Sequence, residues 1–205
     1  MSGEVRTADD FAWDLGAALD GDRAVRSESD ALAGKVVALV VCGGIAAYRT
    51  PDLCRSLRRH GAEVRAYCTP AALQFVTETA IEWTALRPPV VRLGGDAAHV
   101  EQADVDLWLV APASYSTLNK MAAGIADNAA TTALATAIGR LERGASRILV
   151  APTMHGDMLN SIVRASLAKL ANLGVEVIPP RPRDGKALLP ETVDLVAAVL
   201  AAAAR

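Results

Sequence analysis

The chain has 205 residues, enough for one α/β domain with a full core and too few for two independent ones. Hydrophobic residues make up 52% of it and aromatic ones only 4%, which favours compact helices on aliphatic strands over an aromatic ligand cage. A formal net charge of -2 with Lys and Arg scattered along the chain gives no basic surface for nucleic acid.

Residues 1–34 carry eight acids and three bases and read as an acidic N-terminal extension to a domain spanning 35–205. Within the extension Phe11, Leu15 and Leu19 fall at i, i+4 and i+8. That spacing suits a short amphipathic helix docked on its own domain or a neighbouring subunit, and the composition equally suits a disordered leader. No basic region followed by an apolar run opens the sequence and no stretch of about twenty apolar residues appears, so a soluble, cytoplasmic protein without membrane contact is expected. Cys42, Cys54 and Cys68 have neither close-spaced partners nor matching histidines. They read as reduced thiols rather than as a metal site or a disulfide framework.

From Lys35 onward, short apolar runs alternate with helix-length segments. The runs Val36 to Cys42, Val64 to Cys68, Leu107 to Ala111, Ile148 to Ala151 and Val175 to Ile178 are strand-like, and Pro89 to Arg92 is a weaker sixth. Gly61 and Gly174 stand where a helix ends before a strand, and Leu195 to Ala204 is a final Ala-rich helix. The pattern predicts βαβ units, hence a single Rossmann-like, doubly wound parallel sheet with helices on both faces. The proline-rich stretch from Pro179 to Pro190 is predicted to be a long irregular loop of the kind that serves as a lid.

Candidate chemistry gathers at the ends of strands. The first strand runs into Gly43-Gly44-Ile45-Ala46, two glycines opening a helix, where free backbone N–H groups and the helix dipole favour a phosphate. A tight strand-to-helix turn would use the same glycines. The dinucleotide pattern is absent and no acid closes the second strand, so a mononucleotide is the expected ligand of this turn. Thr69, before Pro70, either caps a helix or turns its hydroxyl toward that phosphate, with Phe75 six residues on. After the third strand, Ser114, Tyr115, Ser116 and Thr117 bring more hydroxyls than a helix cap needs. His99 precedes that strand, and Met154 and His155 follow the fourth.

In order and spacing these segments resemble the flavin-dependent cysteine decarboxylase superfamily, which includes phosphopantothenoylcysteine decarboxylase and the lantibiotic peptidyl-cysteine decarboxylases. The similarity spans roughly residues 34–173: the Gly-Gly-Ile-Ala-Ala-Tyr-Arg-Thr-Pro-Asp-Leu run, Thr69 with Phe75, His99, the Pro-Ala-Ser-Tyr-Ser-Thr segment and Gly124-Ile125-Ala126-Asp127-Asn128. The resemblance implies bound FMN held by Gly43, Gly44, Ile45, Ala46, Thr69, Phe75 and residues 114–117. It also implies His99 as an active-site base or orienting group and a homotrimer or larger assembly. The implied activity is oxidative decarboxylation of a cysteine-derived thiol to an enethiol.

Three departures bear on the substrate. Ser116 and His155 stand where the family has Asn. His155, with Met154 beside it, is then the candidate for holding the substrate carboxylate and for a catalytic part. No cysteine follows Cys68, whereas the coenzyme A branch has one in its late substrate-covering loop to reduce the enethiol. The resemblance therefore implies the peptide-modifying branch, with a C-terminal peptidyl cysteine or small thiol as substrate. A flavin prenyltransferase and a non-catalytic FMN-binding subunit are the alternative readings.

Overall fold

The computed structural model describes residues 12–14, 16–95 and 105–205. Its sheet consists of β1 (Val36–Val41), β2 (Glu63–Cys68), β3 (Leu107–Ala113), β4 (Arg147–Pro152) and, beyond a two-residue strand β5 (Met154–His155), β6 (Glu176–Val177). The spatial order is β2-β1-β3-β4-β6, every neighbouring pair parallel. Parallel strands require crossovers, which the helices supply: α1 (Thr50–Arg59), α2 (Glu78–Ala85), α3 (Tyr115–Ala123), α4 (Ala129–Glu142), α5 (Ser161–Asn172) and the closing α6 (Thr192–Ala203). The weak run at Pro89 contributes a single parallel bridge, Val90 to Tyr67, at the edge of β2.

Period-two alternation divides each strand between two apolar layers. In β1, Val37, Leu39 and Val41 join a cluster with residues of α1, α2 and α6, whereas Val36, Ala38 and Val40 join a second with α3, α4 and α5. Both faces of the sheet are thus covered, as continuous apolar strands demand. Trp108 of β3, fully buried, lies against Tyr67 with ring centroids 5.3 Å apart.

One expectation is corrected. The stretch 179–190 is not irregular: β7 (Arg181–Arg183) and β8 (Lys186–Leu188) form an antiparallel hairpin that adds β5 to make a three-stranded sheet, β5-β8-β7. Its two-residue turn, Asp184 (φ 50) and Gly185 (φ 68), has the paired positive φ of a type I′ connection. Pro182 is tolerated because β7 is the edge strand and needs no further ladder donor. Near the N-terminus, residues 16–35 contain no helix, and Leu19 is exposed; Phe11 and Leu15 lie outside the described residues.

Residues 21–34 instead strap onto the body. Arg23 donates to the carbonyls of Glu82 (2.6 Å) and Trp83 (3.1 Å), and Arg58 to those of Thr84 and Arg23, both at 2.9 Å. These guanidinium groups satisfy carbonyls at the end of α2, whose own last turn has no basic residue. Leu32 closes the strap, fully buried in the first apolar layer.

Candidate active site

The strand order reverses between β1 and β3, and ligands of open α/β sheets bind outside the carboxyl ends of strands at such a switch point. A cleft of about 490 Å³ opens there. Gly43 comes to it from the end of β1, Thr69 from β2, and Ser114, Tyr115, Ser116 and Thr117 from the end of β3 and the first turn of α3. Segments 26 and 45 residues apart meet because parallel strands all end at the same edge of the sheet.

The cleft floor leaves almost no room for side chains. A Cβ placed on Gly43 would come 2.5 Å from that of Ala71, so only glycine lets the backbone sit this close to the neighbouring loop. Thr69 is 7% exposed and its Oγ1 has no hydrogen-bond partner. It makes no helix cap: the cap of α2 is Thr77, whose hydroxyl accepts from Ala80 N at 3.1 Å. A buried hydroxyl without a partner is unfavourable, and one lining a cleft points to a ligand that supplies the bond. Ser114 caps α3, accepting from Thr117 N at 3.3 Å, and its hydroxyl donates to Thr117 Oγ1 at 3.2 Å. Beneath them Cys42 is wholly buried. Burial raises its pKa, against the opposing pull of hydrogen bonds from Thr117 and Ser114, so the base of the cleft is uncharged.

One wall was missed by the sequence reading as a source of site residues: Lys120, Asp127, Asn128 and Met158 also line the cleft. Lys120 Nζ donates to Asp127 Oδ2 at 2.6 Å, and this bond, with a further one from Thr131, holds the Asp127 carboxyl below its usual value. Asn128 forms a reciprocal capping box with Thr131 at the start of α4. The signal was the spacing of Lys120 and Asp127, seven residues apart on either side of Gly124, whose positive φ (71) turns the chain back.

Other predicted residues lie elsewhere. Gly44 continues the turn, Ile45 is 74% exposed, and Ala46 packs on the first apolar layer. Phe75 is exposed to 41%, off the cleft lining. Met154 is buried under the hairpin in the second apolar layer, opposite Ala187, because β5 turns alternate side chains to opposite faces. His155 points the other way, paired in register with Lys186; its Nδ1 accepts from Asp157 N at 3.4 Å. Gly156 abuts the hairpin turn, with no space between it and the Gly185 carbonyl for a side chain. His99 lies outside the described residues.

Among the described residues no group of three or more His, Cys, Asp or Glu is placed to hold a metal ion, and no helix is long and apolar enough to cross a membrane. All three cysteines are free and buried.

The chain is similar to the coenzyme A biosynthesis bifunctional protein CoaBC of Thermococcus kodakarensis, with 37% identity over 180 residues, 85% of this chain and 43% of that protein. It therefore spans less than half the length of that relative. Among solved structures it resembles the FMN-dependent cysteine decarboxylase SpaF, with a TM-score of 0.72 and 26% identity over 85% of this chain and 99% of the other. A PPC decarboxylase variant complexed with pantothenoylaminoethenethiol gives a TM-score of 0.64 at 27% identity, over 80% and 96% of the two chains. With the family model for flavoproteins matching residues 25–204, the chain belongs to the flavoprotein family.

Proposed function

We propose that the cleft holds FMN and that the protein oxidatively decarboxylates a cysteine-derived thiol, most directly a C-terminal peptidyl cysteine. The observation that carries this reading is the unpartnered Thr69 hydroxyl, buried in a cleft whose floor admits only glycine at position 43. The donor set fits a phosphate monoester: the Thr69, Ser114 and Thr117 hydroxyls, the N-terminus of α3 and the backbone at Gly43. FMN, when bound, supplies the hydride acceptor that no side chain offers.

The chain's own groups bind and orient. Gly43, Thr69, Ser114 and Thr117 fix the phosphate end, and Tyr115 and Ser116 border the remainder of the cleft. His99 is the proposed base that takes the substrate thiol proton, and His155, exposed beside the hairpin, the proposed carboxylate partner. Removing a hydride and a proton from the substrate's CH2–SH gives a thioaldehyde. The thiocarbonyl then accepts the electron pair released as the bond to the carboxylate breaks, leaving carbon dioxide and an enethiolate, which takes up a proton to give the enethiol.

The coenzyme A biosynthesis relative favours a second substrate, phosphopantothenoylcysteine. Against it stands the hairpin sequence, Arg-Pro-Arg-Asp-Gly-Lys-Ala-Leu, which offers no thiol to reduce the enethiol. Incubating the FMN-loaded protein with C-terminal cysteine peptides and, separately, with phosphopantothenoylcysteine decides between them. Loss of carbon dioxide and two hydrogens from the peptide supports the leading reading; loss only from phosphopantothenoylcysteine supports the second. Turnover of neither overturns the proposed activity.

The assembly is proposed to be a homotrimer or larger. The exposed apolar side chains Ile45, Tyr48 and Ile125, with Met158 at the cleft, offer a surface for a second copy, which sedimentation would detect.

A further inference from the structure

Arg49 ends the 3-10 turn (Ile45–Arg49) that follows Gly43 and Gly44, yet every hydrogen bond of its guanidinium goes to residues 189–192. Nη1 donates to the carbonyls of Pro190 at 2.9 Å and Leu189 at 3.4 Å; Nη2 donates to Glu191 Oε2 at 3.1 Å and Thr192 Oγ1 at 3.2 Å. The side chain is only 18% exposed. Glu191 is shared: its other oxygen accepts from Arg181, the first residue of β7. The Thr192 hydroxyl passes the contact back to α1, donating to Asp52 Oδ2 at 3.1 Å.

Helix stability does not account for this placement. Glu191 is the N-cap of α6, and a cation beside a helix N-terminus opposes the helix dipole. Nor does ion pairing: Glu191 is half-exposed, and such pairs contribute little. What a guanidinium does provide is a rigid planar fork of donors, suited to holding two backbone segments in one relative position. The hairpin needs such a hold, because two three-residue strands joined only to the two-residue β5 gain little from pairing alone. Its turn end is seated against Gly156 and its open end is held by Arg49 and Glu191.

We propose that Arg49 is a positioning residue that couples the cofactor seat to the hairpin, so that filling the seat orders residues 181–190. The proposal rests on the FMN reading above. Coupling of this kind is reciprocal: whatever cofactor does to the hairpin, a substrate held by the hairpin does to cofactor affinity.

The test is amide hydrogen exchange of the full chain with and without FMN, in wild type, Arg49→Ala, Arg49→Lys and Glu191→Gln. In wild type FMN should slow exchange across 183–188 by at least about fivefold, the low end of couplings between sites. Arg49→Ala should still take up FMN but lose most of this slowing, and Arg49→Lys should recover part of it. Should Arg49→Ala fail to fold, Glu191→Gln, which turns one of the two shared acceptor oxygens into a donor facing a guanidinium, is expected to show the same loss. A hairpin that exchanges faster in the variants to the same extent with and without FMN would mean a merely structural strut and overturn the proposal. FMN uptake by wild type with an unaltered hairpin overturns it alone, whereas no uptake at all overturns the FMN reading with it.

Discussion

Gly43 and Ala71 are packed so closely that a Cβ on Gly43 would lie 2.5 Å from the Ala71 Cβ and 3.0 Å from its backbone carbonyl carbon. Neither can yield easily, since one lies two residues beyond the end of β1 and the other caps the 3-10 turn after Thr69. Gly43→Ala is expected to cost about 1–3 kcal/mol in urea unfolding, as overpacking usually does, and to abolish FMN uptake. Gly44→Ala, with nothing within 4 Å of the added atom, should leave stability within about 1 kcal/mol of wild type. Equal costs at the two positions would contradict this account of the floor.

The hairpin gives a second contrast. A methyl group at Gly156 would run into the Gly185 carbonyl, whereas one at Gly139 would meet only Arg143 Nη1, at an ordinary 3.6 Å. Gly156→Ala should therefore displace the hairpin. In steady-state assays the expected outcome is a KM raised about tenfold or more, the loss of roughly one good contact, with the unfolding midpoint little changed. A change confined to stability would argue that the hairpin takes no part in substrate binding.

Thiol chemistry sets the alkaline limit. Burial pushes Cys54 and Cys68 up to about 12 from an ordinary 9.0, so both are neutral in the folded protein where unfolded thiols ionise. This contribution to stability is therefore complete below 9.0 and is lost as pH rises toward about 12. Urea midpoints measured across that window should fall, and fall less steeply in Cys54→Ala. Iodoacetamide at neutral pH should modify none of the three cysteines until denaturant is added.

At the cleft wall, the Lys120 hydrogen bond holds Asp127 below its ordinary 3.8. A depressed carboxyl stabilises the fold above the ordinary value, and that contribution is lost as pH falls through the lowered one. NMR titration of the Asp127 carboxyl carbon should give a value below 3.8, moving upward in Lys120→Met. An unchanged titration in the variant would remove Lys120 as the cause.

Much of the fold was legible because buried parallel strands are nearly uninterrupted apolar runs, and Val36 to Val41 or Leu107 to Val110 admit few other readings. The cleft residues Gly43, Thr69 and Ser114 to Thr117 were legible for a related reason, each standing directly after such a run. Lys120 and Asp127 were not, since Lys120 lies within α3 and Asp127 follows a turn at Gly124 that no periodicity reveals. The hairpin was hidden by its prolines, although Asp184-Gly185 carries the two-residue turn signal and Pro182 needs only an edge position. Met154 looked available beside His155, but alternation in β5 sends the two in opposite directions.

The unpartnered Thr69 hydroxyl is proposed to bond to the phosphate of bound FMN, and fluorescence titration of Thr69→Val with FMN puts that bond to the test. Removing a buried hydroxyl that bonds to nothing should leave the cofactor-free protein as stable as wild type. Losing a bond to a charged phosphate should weaken FMN binding by about 10-fold to 100-fold. Wild-type affinity in the variant, with the flavin absorption bands intact, would contradict the account.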